Sequence, residues 1–375
     1  MAVGLYVHVP FCRTRCHFCP FYLRIYRQDL AEQYLAALEQ EMIWHAAHRT
    51  LAGRRLTTVY FGGGTPTTLA PAHLTTLLQR INQEFPLEEN AEVTVEATPD
   101  SVTVESLTVL RASGVNRISF GADSFNVEEL ANVGRPTGSD AVATAVAAAR
   151  HAGFTNVNLD LIYGLPGQTM ESWRATLDAA LAIAPTHLST YALSIEQGSA
   201  LWVDQRRGDT VEPDPDLLLA MEDIATSRLS GAGFERYEIS NYARPGFTCR
   251  HNLLYWQGED YLGLGPSAQS YVQGRRFGNV SDLERYCRSL DRGKPLLEGD
   301  ESLPTPRRVR EALVFGLRLT QGVDETRFRT ADWREDIIPA LDRLATQGLI
   351  ERESGRVRLT ELGRRFADSV AVALL

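Results

Sequence analysis

The sequence predicts an α/β chain: a parallel sheet rolled into a partial (β/α)6, TIM-like barrel, followed by a smaller winged-helix-like α+β module. Three observations carry this. Up to about residue 200, short apolar runs alternate with amphipathic stretches, the order that places crossover helices between parallel strands. The chemically distinctive residues fall directly after those runs, where a β/α barrel carries its active site. The last 70 residues change character, with helical segments leading into a hairpin.

The expected strands are LYVHV (5–9), TTVYFGGG (57–64), AEVTVEA (91–97), NRISFGA (116–122), NVNLDLIYG (156–164) and HLSTYAL (187–193). Between them DLAEQYLAALEQEMIWHAAH (29–48), HLTTLLQRINQEF (73–85) and SDAVATAVAAARHAG (139–153) are amphipathic helices. From 204 to 300 the pattern is irregular, with aromatic-rich turns that close the barrel. PRRVREALVFGLRL, DETRFRT and DIIPALDRLATQG are helical, and LIERESGRVRLTELG (349–363) is a hairpin turning at ESGR. Three regions follow: a barrel over 1–203, its extension over 204–300 and the module over 301–375. The module reads as a packing lid for the barrel or as a DNA-binding element, and the acidic chain favours the lid.

At 375 residues the chain can bury a large core and a smaller attached one. With 44% hydrophobic and 23% charged residues it is an ordinary globular composition. No apolar run approaches the ~20 residues of a membrane span. MAVGLYVHVPFC lacks a basic leader and reads as a strand, so no signal peptide is expected. Five cysteines in no paired pattern predict a reducing, cytoplasmic setting. The net charge of −9 argues against a broad nucleic-acid surface, which needs clustered cations.

Cys12, Cys16 and Cys19 follow the first strand, while Cys249 and Cys287 stand alone. A structural zinc site wants a fourth ligand, which His17 or His8 would supply. Alternatively, Cys-x3-Cys-x2-Cys holds three irons of a four-iron, four-sulfur cluster and leaves the fourth open. GGGTP follows the second strand, and Glu96 ends the third.

This loop followed by GGGTP resembles the radical S-adenosylmethionine (SAM) superfamily. YVHVPFC (6–12), YFGGGTPT (60–67), VTVEATP (93–99), LANVGRPT (130–137), NLDLIYGLPGQT (158–169) and LGLGPSAQSY (262–271) are similar, in order, to its HemN/HemW group over nearly the whole chain. The resemblance implies a radical SAM barrel with a HemN-type C-terminal module, a [4Fe-4S] cluster on Cys12, Cys16 and Cys19, and SAM on the open iron. It also implies reductive cleavage of SAM to a 5′-deoxyadenosyl radical, with an electron donor such as flavodoxin or ferredoxin. It places a first SAM against Tyr6, Gly63, Glu96 and the segment around Gln269. A second SAM would lie against Phe18, Gly64, Thr65, Asp123, Arg135, Asp160 and Ala192, with Ile162 nearby. Gly63 and Gly64 would let backbone approach the methionine amino group, Arg135 would pair a carboxylate, and Asp160 would hold hydroxyls or an ammonium. Each has a plainer alternative: Glu96 and Asp160 as helix caps, Arg135 as a surface ion pair.

Within the group, HemW chaperones usually follow the last cluster cysteine with Asp-Phe-Asn and carry Ala-His-Ser late in the chain. Here Cys19 is followed by Pro20, Phe21 and Tyr22, and Ala268 by Gln269 and Ser270. The usual Gly-Val-Gln-Ser-Phe is Gly121-Ala122-Asp123-Ser124-Phe125. Coproporphyrinogen III dehydrogenase, which has a further cysteine and a long N-terminal extension, fits worse. These departures touch cofactor-facing positions. The expectation is therefore a class C, two-SAM methyltransferase or cyclopropanase acting on a small-molecule or peptide-borne aromatic, with Asp123 and Tyr22 as candidate bases. Against it stands HNLLYW (251–256), similar to the HNxxYW motif associated with heme binding by HemW. His251 then either ligates heme iron or packs, hydrogen-bonded, in an aromatic turn.

Overall fold

The computed structural model describes residues 2–135, 138–328 and 337–375. Pro136 and Thr137 of LANVGRPT, Arg329 and Thr330 of DETRFRT, and Asp336 lie outside the described residues. The barrel wall is six parallel strands, each paired with the next: β1 (Val3–Val9), β2 (Leu56–Gly63), β3 (Leu87–Ala97), β4 (Arg117–Asp123), β5 (Asn156–Tyr163) and β6 (His187–Ala192). Helices α1 (Gln28–Ala47), α2 (Pro71–Glu84), α3 (Val104–Ala112), α4 (Val127–Asn132), α5 (Ser139–His151) and α6 (Met170–Ala182) run between them. The expected strands and helices of this half are present to within two residues at their ends, except that β3 begins four residues early. This is the partial (β/α)6 barrel that the sequence predicts.

Strand alternation divides the two faces. Val3, Leu5, Val7 and Val9 of β1, with Val59, Phe61, Val93, Val95, Ile118, Phe120, Val157, Leu159 and Leu161, join the apolar core under the helices. The opposite parity is polar: Tyr6, His8, Thr58, Tyr60, Glu92, Glu96, Arg117, Ser119, Asn158, Asp160, His187 and Ser189. The barrel interior is a polar compartment.

Segment 204–300, expected to be irregular, forms both flanks of the sheet. Helices α7 (Ala200–Arg207) and α8 (Pro215–Gly231) lead to β7 (Asn241–Ala243), antiparallel to β6. After α9 (Arg250–Gln257), β8 (Asp260–Leu264) joins β1 in parallel. The strands β9 (Gln269–Val272), β10 (Arg275–Asn279) and, after α10 (Leu283–Asp291), β11 (Leu297–Ser302) extend that edge antiparallel. With the two-residue strand Glu235–Arg236 beside β7, the sheet has twelve strands in linear order among the described residues, so the barrel stays open.

The C-terminal module contains α11 (Thr305–Gly316), β12 (Val323–Asp324), α12 (Ile338–Thr346), the hairpin β13 (Ile350–Glu353) and β14 (Arg356–Leu359), then α13 (Glu361–Arg365) and α14 (Ala367–Leu374). DETRFRT was expected to be helical, but Asp324 is strand and Glu325–Phe328 a single 3-10 turn. Ser354 and Gly355 turn the hairpin at φ of 52° and 79°, the left-handed pair a two-residue loop requires. Leu313, Leu341, Val357 and Val370 centre a separate apolar cluster. Among the described residues no helix is long and apolar enough to cross a membrane.

One buried carboxylate ties α1 to the β8–β10 flank. Glu41 accepts from Gly265 N at 2.8 Å, from Tyr286 Oη at 2.6 Å and from Asn279 Nδ2. Burial pushes its carboxyl up from about 4.5 to about 7. Burial pushes the neighbouring His45, 3.8 Å away, down from about 6.5 to about 3. Folded Glu41 keeps its proton between pH 4.5 and 7, where the unfolded chain has lost it, so its contribution to stability falls as pH rises through that window. Folded His45 stays neutral between pH 6.5 and 3, where the unfolded chain is charged, so its contribution falls as pH drops. The two slopes cancel from pH 4.5 to 6.5. Glu41→Gln should leave His45 uncompensated there, and stability should fall by about 1.4 kcal/mol more per pH unit on acidification than in the natural chain. Urea melts across that range measure it, and parallel slopes would refute the assignment.

Candidate functional site

The cysteine loop is clamped at both ends. Phe11–Cys12 pairs with Arg24–Ile25 as a short parallel ladder, and Phe11 packs edge-on against Tyr34 at 5.5 Å. Mid-loop, His17 N donates to Val133 O and Leu201 N to His17 O, both at 2.9 Å. Phe18 packs on the small apolar cluster of Val133, Ile162, Leu165, Leu193 and Leu201. Cys12, Cys16 and Cys19 then line a cavity of about 410 Å³ at the C-terminal ends of the barrel strands.

Among the described residues no trio of His, Cys, Asp or Glu converges on a single metal ion. The zinc alternative finds His17 Nδ1 at Asn132 O (3.2 Å) and His8 Nδ1 at Tyr6 Oη (3.2 Å). A cluster asks for something else: thiols spread around a cavity, each for a different iron. Burial pushes the Cys16 thiol up to about 12 and raises Cys12 and Cys19. Such thiols ionise when a bound metal supplies the compensating charge. The residues present therefore fit an iron–sulfur cluster, which when bound with SAM supplies the electron that breaks the sulfonium bond.

The chain after β2 folds over this loop. Gly64 N donates to Val9 O at 2.8 Å and Thr65 N to Phe11 O at 2.7 Å; Thr65 Oγ1 sits 3.6 Å from Cys12 Sγ. A Cβ on Gly64 would lie 2.5 Å from Phe11 O, and one on Gly63 (φ 108°) 2.6 Å from the His8 ring. These glycines are required by contact with the strand leading into the cysteine loop, not only by approach to a ligand.

Glu96 is set by Tyr60 Oη at 2.7 Å and Gly63 N at 3.2 Å, and burial pushes its carboxyl up to about 7. Asp160 accepts from Ser119 Oγ at 3.1 Å and Asn158 Nδ2 at 3.0 Å, and burial raises its pKa. Neither is a helix cap. Arg135 donates through Nε to Asp123 at 2.5 Å and through a terminal nitrogen to Gly121 O at 2.9 Å. Asp123 stands in the left-handed region at φ 58°, where the β4–β5 register shifts. The guanidinium expected to pair a second SAM is thus already paired inside the protein.

The cavity gathers Phe18, Gly63, Gly64, Thr65, Glu96, Asp123, Arg135, Asp160 and Ile162 with the three cysteines. Four expected residues do not line it. Tyr6 is half-buried on β1, its ring 6.1 Å from Tyr60. Tyr22 instead braces α10, its Oη 3.4 Å from Asp282 Oδ2 and accepting from Leu283 N at 3.0 Å, so its candidacy as a base is corrected. Ala192 is exposed at the end of β6, and Gln269 is exposed, with Nε2 on Ser267 O at 3.3 Å. Tyr60, Ser119, Arg13 and Tyr191 line the cavity and were not singled out. For Tyr60 and Ser119 the signal was their inward parity on β2 and β4.

HNLLYW lies at the other end of the barrel. It forms most of α9, and Glu92 near the start of β3's barrel segment accepts from Arg250 N and His251 N, both at 3.0 Å. His251 is buried, with Nδ1 2.7 Å from Thr58 Oγ1 and Nε2 2.8 Å from Tyr255 Oη. Both ring nitrogens are engaged, and burial pushes the imidazole down to about 3. In this structure His251 is packed and hydrogen-bonded through both ring nitrogens.

Fold and cavity together define a barrel that offers three thiols and inward carboxylates at one end. Residues 6–180 match the radical SAM superfamily and 303–366 the HemN C-terminal domain. The chain is 36% identical to the heme chaperone HemW of Bacillus subtilis over 99% of its own length and 98% of that protein. To HemW of Mycobacterium tuberculosis it is 38% identical, covering 99% and 94%. The solved structure of coproporphyrinogen III oxidase (HemN) from Escherichia coli superposes with a TM-score of 0.85 at 28% identity, covering 100% of this chain and 90% of that one. The chain belongs to the HemN/HemW group of the radical SAM superfamily. That membership implies a [4Fe-4S] cluster and SAM. The expectation of a class C methyltransferase finds no support, because the two sequence relatives are heme chaperones and the structural one is a coproporphyrinogen III oxidase, and a second SAM is likewise unsupported.

Anaerobic reconstitution should give about four irons and four sulfides per chain. Replacing Cys12, Cys16 and Cys19 together by alanine should abolish both, along with 5′-deoxyadenosine formation. A folded triple variant that kept its iron would move the cluster to Cys249 or Cys287.

Proposed function

We propose that this chain binds heme and hands it to acceptor proteins, in the manner of a HemW-type chaperone that retains a SAM-cleaving site. The carrying observation is the similarity to heme chaperones along 99% of the chain, a span that includes HNLLYW. Geometry is compatible with two separate tasks. The thiols and carboxylates sit at the C-terminal ends of the strands, whereas α9 packs against Gly4 and Thr58 near the strands' starts. The cluster's electron comes from a small donor of the flavodoxin or ferredoxin kind.

The test is a titration of the reconstituted protein with ferric heme, followed by mixing with apomyoglobin. A single heme should bind per chain and then appear in myoglobin. A protein that cleaves SAM but takes up no heme would overturn the reading.

A further inference from the structure

A second cavity, of about 250 Å³, opens at the far end of the barrel between α9, the β8–β10 flank and α11 of the C-terminal module. Its walls are aromatic: Tyr255 and Trp256 from HNLLYW, Tyr261 and Tyr271 from the flank, and Phe315 from α11. Tyr261 stands edge-on to Tyr255 with ring centres 4.6 Å apart, and Tyr271 follows at 6.5 Å. The Tyr255 hydroxyl is committed to His251. Those of Tyr261 and Tyr271 make no hydrogen bond among the described residues.

Charge is uneven at the mouth. Glu311 is held by Arg276 and by Arg307 Nε at 3.0 Å, so these groups compensate one another. Arg308, one residue on, is exposed and has no acidic partner among the described residues. Its guanidinium rests against Gly274 in the β9–β10 turn, where a Cβ would come within 2.7 Å of it. Glu259 lines another wall and would repel an anion, so an anionic ligand edge is directed toward Arg308.

A flat apolar ring with carboxylates on one edge and an iron at its centre meets each of these features. We propose that this cavity is the seat of the heme, that Arg308 takes a heme carboxylate, and that the Tyr261–Tyr271 pair supplies the iron's oxygen ligand. The proposal rests on the heme-binding reading above. Guanidinium–carboxylate pairing is charge-assisted and bidentate, and tyrosine is an established haem ligand. On ligation the phenol proton leaves to water, and the phenolate balances the charge of the ferric ring. A cavity this size is below the usual 300–1,000 Å³ or so of an enclosing site. It takes one edge of the ring and leaves the rest exposed, as release to an acceptor demands. His251 acts through Tyr255, whose hydroxyl it fixes, and does not touch the iron.

Ferric heme titrations of the full reconstituted chain test this, read by affinity and by the phenolate–iron charge-transfer band and Raman stretch. Arg308→Gln should weaken binding at least tenfold and leave the spectrum unchanged. The Tyr261→Phe, Tyr271→Phe double variant should lose the phenolate signature. SAM cleavage should be unaffected in both, which shows that the fold survives. If the double variant fails that control, exposed Arg308 decides alone. Heme uptake with natural affinity and spectrum in the folded variants would overturn the seat while leaving the heme reading intact. No uptake by the natural chain would strike the heme reading itself.

Discussion

The structure depends on a polar interior that six strands enclose inside an apolar shell. Alternation on six strands sends valine, leucine and isoleucine outward to the helices and carboxylates, amides, hydroxyls and an arginine inward. A buried polar group left unpaired costs on the order of 1–3 kcal/mol, and more when charged. A chain of the inward groups answers one another: Asp160 with Ser119 and Asn158, Asn158 with His187, His187 with Tyr237 at 2.8 Å. Arg117 leaves Nε and one terminal nitrogen without a hydrogen bond among the described residues and has the Glu92 carboxylate as a nearby opposite charge. The lower end is stoppered by α9. Glu92 accepts two backbone N–H groups at its start, and Thr58 meets His251. HNLLYW is first of all the plug of this compartment.

The upper end is left open, and the carboxylates that face the cavity sit at or near the ends of their strands. Glu96, Asp123 and Asp160 reach the cavity already fixed by neighbours, so a ligand meets oriented oxygens and pays little to order them. The cysteine loop obeys the same economy of motion. Its ends are paired backbone and its middle is pinned through His17 and Phe18, which leaves the three thiols on a short, braced arc.

The barrel half was legible because its strands are buried on both faces and bounded by turn signals, and because the helices between them are amphipathic. The flanks were not. Leu297–Ser302 reads LEGDES, a polar loop by composition, yet it is an edge strand, where charged side chains are at home. Arg275 and Arg276 hid β10 in the same way. The site was legible where chemistry and parity coincide, as at the cysteines, Glu96 and Asp160. It was illegible where tertiary contact decides: Tyr22 is close to Cys19 in sequence, but its hydroxyl is claimed by α10, about 260 residues away. The placement of His251 likewise turns on Thr58, 193 residues distant.

The departures from the group pattern point, read in sequence alone, to a different enzyme, because the resemblance implies that they face a cofactor. Their geometry supports another account. Asp123 replaces a neutral amide and neutralises Arg135, the buried cation of the cavity, through a pair whose side chains are 6% and 13% exposed. Gly121 accommodates the same guanidinium, since a Cβ there would lie 2.6 Å from its terminal nitrogen. Residues 121, 123 and 135 are thus one fitted unit, closed on itself rather than held open for an external carboxylate. The charge of Arg135 is thereby answered within the chain, by a charge-assisted bond to a carboxylate of its own cavity wall.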